Sequence, residues 1–385
     1  MHRFLTGVLV AALGVATAVE AAAQTAATTN NTAYGTTSAE FLLLGAGARG
    51  AALGGSFAAI ATDVEALYWN PGGLAQLERP GLTVGTYTYV ADTRYTWAGL
   101  AYPMGGGARV IGIQGGSFGF SGQPIYTLEN PEGDGTTYSV RETFVGLTYS
   151  QNFSDRFSAG MTAKFISDQL GTVSGTGFAV DFGTSFHAMI GPRPIRASFV
   201  IQNLGSTIKH DGRGLDVKAT RPPPTGQVDL PQEPQPARYQ TKDFGLPVVF
   251  RVGLAYDFIS MGSGRLTALG EFTQPNNSTA SANGGLEATL LNVGGTGFSL
   301  AARGSYTYQA DNNFDASCAA AGFGCTGTST TFSTSVSSKD WQDGLALGGG
   351  VGFRSRSGFG LAVDYAWRSL GLLGGTNFFS ATLHW

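Results

Sequence analysis

The chain has 385 residues, of which 58 are glycine and only 13% are charged, and its formal net charge is −3. Soluble domains carry roughly 25% charged residues, so the composition argues against an ordinary soluble fold, and the lack of a basic patch argues against nucleic-acid binding. Beyond the N-terminus no apolar stretch is long enough for a transmembrane helix. If such a chain spans a membrane, it must do so as a closed β-barrel.

Residues 1–23 are predicted to be a signal peptide. Arg3 precedes an apolar stretch from Phe4 to Val19, and Ala21-Ala22-Ala23 has the small-residue form that a signal peptidase cleaves. The alternative is an N-terminal membrane anchor, but the apolar stretch is shorter than the about 20 residues of a bilayer-spanning helix.

Residues 24–80 are predicted to form an N-terminal tail and a small hatch seated in the barrel lumen. Thr62-x-x-Glu65 can form a capping box that starts a short helix, and Asn70-Pro71-Gly72-Gly73 would end that helix. Small residues dominate positions 45–61. The segment is too apolar for a free tail and too short for a domain, and a place in the lumen accounts for both properties.

From residue 81 to residue 385 apolar and polar residues alternate with a period of two, most clearly over 157–165, 248–258 and 359–367. This period over about ten residues is typical of transmembrane strands. The pattern predicts an all-β fold, a transmembrane antiparallel β-barrel of about 14 strands. The predicted strands lie near 82–90, 94–102, 107–118, 138–151, 156–167, 176–189, 194–203, 246–258, 264–274, 282–292, 297–309, 341–353, 358–368 and 376–385.

Every second connection is predicted to be a tight turn, and the others are mostly longer, with extremes at 119–137, 204–245 and 310–340. Outer-membrane barrels keep short turns on the periplasmic side and long loops outside. Both chain ends would then lie in the periplasm, and the predicted location is the bacterial outer membrane, with its lipid around the barrel.

Two of the long loops carry further features. Cys318 and Cys325 are predicted to form a local disulfide after export to an oxidising compartment. The 204–245 loop holds a proline-rich tract from Pro222 to Pro236, which indicates either an arm that docks a partner or a solvated spacer.

Charged residues on the polar faces of the strands are predicted to point into the lumen. They either pair with one another and fill a narrow interior or line a path for a substrate, and mutual pairing is the preferred interpretation. These residues are Lys164, Asp181, Arg251, Asp257, Arg303, Asp364 and Arg368.

No active site, cofactor or metal site is predicted. Gly45 to Gly50 matches the dinucleotide pattern GxGxxG, but that site needs a returning parallel strand, whereas antiparallel hairpins follow here. Gly115 to Gly119 matches the nucleophile elbow GxSxG, which requires a strand-to-helix turn. His187, His210 and His384 show no metal-ligand spacing, and a lumenal Ser/His pair, as in an outer-membrane phospholipase, is the weaker alternative.

The C-terminal Trp385 falls on the predicted lipid face. It resembles the terminal aromatic signal that barrel-assembly machinery reads, and an ordinary aromatic residue of the membrane interface is the alternative.

Two parts of the chain resemble the PorV/PorQ outer-membrane family, which is related to the FadL long-chain fatty-acid transporters. The first runs from Phe41-Leu42-Leu43-Leu44-Gly45-Ala46-Gly47-Ala48-Arg49-Gly50 through Ala66-Leu67-Tyr68-Trp69-Asn70-Pro71-Gly72-Gly73-Leu74. The second comprises Gln202 to Gly205, Ile208-Lys209, Leu246-Pro247 and Arg251 to Tyr256. The resemblance implies a fourteen-stranded barrel with a lumenal N-terminal hatch.

Two roles follow from this resemblance. The preferred role is a scaffold or cargo-receiving component of type IX protein secretion, which meets secretion-system or cargo proteins through its extracellular loops. The alternative is a FadL-like channel for hydrophobic small molecules such as long-chain fatty acids. Uptake predicts a continuous apolar pocket between hatch and wall, whereas secretion predicts a blocked lumen.

The hatch is expected to be held by polar contacts with the wall. Asn70 and Asp63 are predicted to hydrogen-bond to lumen groups, and Arg49 to pair with a barrel carboxylate. Trp69 and Pro71 complete the predicted hatch residues.

Overall fold

The computed structural model describes residues 35–128, 130–133, 135–220, 233–309, 314–316, 332–334 and 344–385. The predicted signal peptide, the cysteine pair Cys318 and Cys325, and most of the proline-rich tract lie outside these ranges. Those predictions therefore remain predictions.

Fourteen antiparallel strands form one closed barrel, which confirms the predicted fold class. The last strand pairs with the first, with His384 opposite Gly81 and Phe378 opposite Tyr87. Closure removes both edges of the sheet, so that the strands satisfy their backbone groups within the barrel. The strands are β1 Gly81–Thr88, β2 Arg94–Met104, β3 Arg109–Pro124, β4 Thr137–Ser154, β5 Phe157–Leu170, β6 Val173–Ile190, β7 Arg193–Gly205, β8 Val249–Met261, β9 Gly264–Pro275, β10 Ser281–Leu290, β11 Phe298–Gln309, β12 Leu345–Arg354, β13 Gly360–Ser369 and β14 Gly375–His384.

The long loops contain further short strands. Asp211–Gly212 adds to β6, and Asp216–Ala219 pairs with Gln235–Arg238 in a hairpin outside the barrel. In the β11–β12 loop, Phe314–Ala316 pairs with Phe332–Thr334.

The predicted alternation between inward and outward side chains holds along the strands. Large apolar residues such as Ile113 on β3, Leu254 on β8 and Val363 on β13 point outward and are 45%, 54% and 51% exposed. Inward positions carry small, polar or charged side chains on most strands, and large apolar side chains such as Trp97 and Phe144 where the N-terminal segment packs on the wall. The outer surface is thus an apolar belt suited to hydrocarbon, as the period of two requires.

Several strand ends differ from the prediction, and β3 continues to Pro124. The β5–β6 connection is only Gly171-Thr172, because both strands continue to the pair Leu170 and Val173. The Gly115 to Gly119 motif lies within β3, so it forms no strand-to-helix turn.

The helices are short. Helices α1 Ala48–Ala52 and α2 Ala66–Trp69 lie in the N-terminal segment, with the 3-10 turns Glu40–Leu43 and Gly73–Gln76. Further 3-10 turns are in the connections, at Val90–Asp92, Gly105–Gly107, Arg213–Leu215, Val293–Gly295 and Gly371–Leu373. Within the described part of the chain, no helix is both long and apolar enough to cross a membrane.

The predicted capping box at Thr62 and Glu65 is wrong. Helix α2 begins at Ala66 without a side-chain cap from Glu65. Instead, the Asp63 carboxylate accepts the Glu65 amide at 2.9 Å, and the Glu65 side chain turns toward Gly50. The helix does end before Asn70, as predicted, because the backbone of Asn70 is extended.

Candidate functional site

Residues 38–77, called here the inner segment, lie inside the barrel along its length. At the end with the long loops, the Ser38 amide donates to the Gly245 carbonyl at 2.9 Å. At the opposite end, Gln76 contacts Ser185 and His187 near the short turn after β6. By the usual orientation of outer-membrane barrels, the inner segment runs from the extracellular to the periplasmic side.

The inner segment meets β1 to β5 mainly through apolar contacts, with hydrogen bonds from Gln114 of β3 and Ser158 of β5 to the carbonyls of Leu67 and Gly72 among them. Phe41 packs on Phe144 of β4 with ring centroids 6.1 Å apart, and Leu67 belongs to the same buried cluster. Most of the large wall side chains of this cluster come from β1 to β5 and β14, namely Tyr87, Tyr95, Trp97, Val110, Phe144, Ile166 and Phe378. The strands β6, β8, β9 and β13 contribute only Ala179, Ala255, Leu269 and Ala366. We call this contact the apolar seam.

Hydrogen bonds join the inner segment to β9, β11 and β14, of which β14 also borders the apolar seam. The Ala48 amide donates to Ser380 of β14 at 3.0 Å, and Ser305 of β11 donates to the Ala52 carbonyl at 3.2 Å. The Ala58 amide donates to Glu271 of β9 at 3.2 Å. These bonds anchor α1 and the chain after it to β9, β11 and β14.

A chain of ion pairs lies on this polar side. Arg49 contacts Asp63 at 2.7 Å and Glu287 of β10 at 2.8 Å. Arg303 of β11 contacts the same Glu287 at 2.7 Å and Asp364 of β13 at 2.6 Å. Two guanidinium groups thus hold three carboxylates, and Arg49 ties the inner segment to the wall.

The structure differs from the expectation for Asp63, which was predicted to bond to the lumen wall. Its carboxylate instead accepts from Arg49 and from the Glu65 amide within the inner segment. The reason is local: Asp63 lies beside the start of α2, where both the Arg49 guanidinium and the Glu65 amide are within hydrogen-bonding distance of its carboxylate.

Glu65 is a fourth carboxyl group at this network and is only 3% exposed. Its carboxylate accepts the Gly50 amide at 3.4 Å.

Trp69 fills the centre of the inner segment. Its indole nitrogen donates to the Ala46 carbonyl at 2.7 Å, and the Arg251 guanidinium lies 5.3 Å from its ring centroid. A Cβ atom on Gly50 would lie 2.6 Å from that indole nitrogen. Gly45 and Gly50 of the GxGxxG match therefore make room for Trp69, and Gly47 makes room for the Glu65 carboxylate.

Asn70 and Pro71 lie against the wall. The fully buried Asn70 donates its amide to the carbonyls of Ala58 at 2.9 Å and of Thr184 on β6 at 3.0 Å. Gly183 permits this approach, because a Cβ there would lie 2.3 Å from the Asn70 side-chain oxygen and 2.9 Å from Pro71.

Most of the other predicted lumen charges have partners. Lys164 pairs with Asp181 at 2.6 Å, and both are buried. Arg251 pairs with Glu271 at 3.0 Å, and Asp257 pairs with Arg196. Arg368 has no ion-pair or hydrogen-bond partner among the described residues.

The sequence reasoning missed three of these partners, Arg196, Glu271 and Glu287. Each occupies an inward position of its strand, in phase with its polar or small neighbours. The period of two could therefore have identified them.

The extracellular mouth is covered by the β7–β8 loop. Asp168 at the end of β5 contacts Ser38 of the inner segment at 3.1 Å and His210 of this loop at 2.8 Å. Ile208 is fully buried and exchanges two backbone hydrogen bonds with Phe244. Asp168 thus joins the loop to the start of the inner segment.

Cavities remain on the polar side and at the periplasmic end. One of about 200 Å³ borders the network of Arg49, Glu287 and Arg303. A second of about 560 Å³ lies beside Gln76 and His187. A third of about 820 Å³ opens among the periplasmic turns that follow β10 and β12.

Trp385 is 52% exposed, and its amide donates to the Pro80 carbonyl at 3.2 Å. The side chain is available to lipid, and its role in assembly remains a prediction.

Closure, the apolar outer belt and the asymmetry of the loops define an outer-membrane β-barrel, here with a lumen filled by its own N-terminal segment. No family model matches the chain, and no curated protein matches it. Solved structures show the same fold.

Among these structures, a TodX monoaromatic hydrocarbon channel variant from Pseudomonas putida has a TM-score of 0.51 at 13% identity, over 88% of this chain and 97% of that one. The CymD monoaromatic hydrocarbon channel has a TM-score of 0.50 at 12% identity, over 89% and 97%. A Pseudomonas aeruginosa FadL homologue has a TM-score of 0.45 at 12% identity, over 88% and 98%. At these identities the first two establish a shared fold.

Proposed function

We propose that this protein is an outer-membrane channel for hydrophobic small molecules, and that the inner segment acts as its hatch. The proposal agrees with the fold shared with TodX and CymD, both described as monoaromatic hydrocarbon channels. It favours the uptake alternative of the sequence analysis over the secretion role.

The apolar seam is the observation that carries the proposal. It continues from Phe41 and Phe144 near the extracellular mouth to Leu67 and Leu74 further along the inner segment. Leu44, Tyr89 and Phe118 pack at the edge of the same cluster and remain partly exposed. A hydrophobic solute loses contact with water along such a surface, at about 25 cal/mol per Å² of apolar area.

The polar side of the lumen would oppose the same solute. The inner segment is fixed there by the ion pairs of Arg49, and the adjacent cavity is lined by charged side chains. Moving an apolar solute past paired charges would offer no compensating contact. The seam is closed in this structure, so passage requires the inner segment to separate from β1 to β5 while α1 stays anchored.

Uptake by whole cells tests the proposal. Cells that carry the protein should take up a labelled long-chain fatty acid or toluene faster than cells that lack it. Phe144→Asn places an amide in the apolar seam and should lower this rate, whereas Thr289→Asn, beside the cavity on the polar side, should not. Equal uptake with and without the protein, for both solutes, would exclude the proposal.

The secretion role remains a second candidate, and the filled lumen and the ordered external hairpin favour it. Asp216–Ala219 and Gln235–Arg238, which come before and near the end of the proline-rich tract in the sequence, pair in this hairpin. Deleting residues 213–239 keeps Ile208, His210 and Phe244, which cover the mouth. A secretion scaffold should then lose export of its partner proteins, while a channel should keep its solute uptake.

A further inference from the structure

The cavity of about 820 Å³ at the periplasmic end is rich in unpaired arginine. Arg265 of β9, Arg354 at the end of β12 and Arg356 in the following turn all line it. No aspartate or glutamate is among its lining residues. We call this cavity the arginine recess.

The three guanidinium groups lack counterions within the described part of the chain. None of them forms an ion pair or a side-chain hydrogen bond there, whereas Arg49 and Arg303 in the neighbouring cavity each contact two carboxylates. The recess is therefore electropositive, and it lies beside a network in which three carboxylates face two guanidinium groups.

The other lining groups suit an oxyanion. Ser299 and Ser355 offer hydroxyl groups, and Asn292 offers an amide. A guanidinium group can donate two parallel hydrogen bonds to one phosphate or carboxylate. Three such groups around one space favour a ligand with more than one negative charge.

The recess adjoins the anchor of the inner segment. Arg265 and Ser299 line both this recess and the cavity at the Arg49 network. A bound anion would therefore lie next to the ion pairs that hold α1 to the wall.

We propose that the arginine recess is a binding site for an anion that carries phosphate or carboxylate groups. Its volume falls within the range of about 300–1,000 Å³ that is usual for small-molecule sites. The ligand is either a soluble periplasmic anion or the phosphate headgroup of a lipid. The site does not depend on which solute the channel carries.

Pyrophosphate is a suitable probe, titrated calorimetrically into the purified full-length protein in an uncharged detergent. The wild-type protein should bind it, and added salt should weaken the binding through screening. Arg265→Gln/Arg354→Gln/Arg356→Gln should lose about tenfold or more in affinity, since charge-assisted hydrogen bonds are removed. Arg356→Gln alone should show a partial loss of affinity. Because Arg356 lies in an exposed turn, this single variant should fold normally and tests the proposal even if the triple variant misfolds.

The matched control is Arg109→Gln/Arg156→Gln/Arg193→Gln, which removes three exposed arginines from other periplasmic turns. Its affinity should stay within about twofold of the wild type, because distant exposed charges contribute little once salt screens them. An equal loss in both triple variants, or no binding by the wild-type protein, would overturn the proposal.

Competition identifies the source of the anion. In lipid nanodiscs, loss of pyrophosphate binding on adding an anionic phospholipid would assign the site to a lipid headgroup. Binding that persists in the same nanodiscs would assign it to a soluble anion.

Discussion

Arg49 of the inner segment and Glu287 of β10 form a two-point ion pair. The Arg49 Nε and Nη2 atoms lie 2.9 Å and 2.8 Å from the two carboxylate oxygens of Glu287. Two parallel bonds fix the angle as well as the position of a guanidinium group. This pair therefore sets how α1 lies against the wall.

Removing the Arg49 side chain should loosen the inner segment. Arg49→Ala breaks both bonds to Glu287 and the contact with Asp63, at an expected cost of about 1–3 kcal/mol. Arg49→Lys keeps the charge but not the parallel geometry, so its effect should be intermediate. Limited proteolysis of residues 38–77 measures the effect, with the exposed Arg213→Ala as control. Unchanged cleavage in Arg49→Ala would show that the pair does not hold the segment.

A methyl group at Gly50 should displace Trp69. A Cβ at this position would lie 2.6 Å from the indole nitrogen, and overpacking of this kind costs about 1–3 kcal/mol. The near-ultraviolet circular dichroism of Gly50→Ala should lose intensity. Gly270→Ala, whose Cβ would have no atom within 4 Å, should resemble the wild type, and identical spectra for both variants would refute the prediction.

Lys164 and Asp181 should be coupled in stability. Both are buried, so Lys164→Met leaves an unpaired carboxylate in the lumen wall, at an expected cost of about 3–5 kcal/mol. Lys164→Met/Asp181→Asn removes the charge and should recover much of the loss. The temperature at which the folded barrel changes its migration on a gel measures both variants. Additive losses in the double variant would argue against the coupling.

Asp168 should couple the extracellular loop to the inner segment. Asp168→Ala removes the acceptor shared by Ser38 and His210, so amide exchange should become faster around both residues together. The exposed Asp211→Ala serves as the control. Faster exchange around His210 alone would show that the two parts are independent.

The strands were predictable because each side chain along a strand faces either lipid or the lumen, and its polarity matches the side that it faces. Leu254 and Val363 point outward in phase with their neighbours, and a shift of one residue would reverse every side chain of the strand. The fold class and the number of strands follow from this pattern, and the structure confirms both.

The contacts inside the lumen were less predictable. Asp63 and Arg49 are 14 residues apart, whereas Arg49 and Glu287 are 238 apart. A partner at such a distance depends on which strand faces α1, and the period of two does not contain that information. The predicted capping box does not form for a related reason. The Asp63 carboxylate accepts from Arg49 and from the Glu65 amide, and the Glu65 carboxylate accepts from the Gly50 amide.

By itself, the sequence determined a barrel of alternating strands, because each side chain responds to the medium on its own face of the sheet. Only the tertiary structure decided that one side of the inner segment is apolar and the other charged. That division arises where the curved wall brings distant strands, such as β4 with Phe144 and β10 with Glu287, around one short segment.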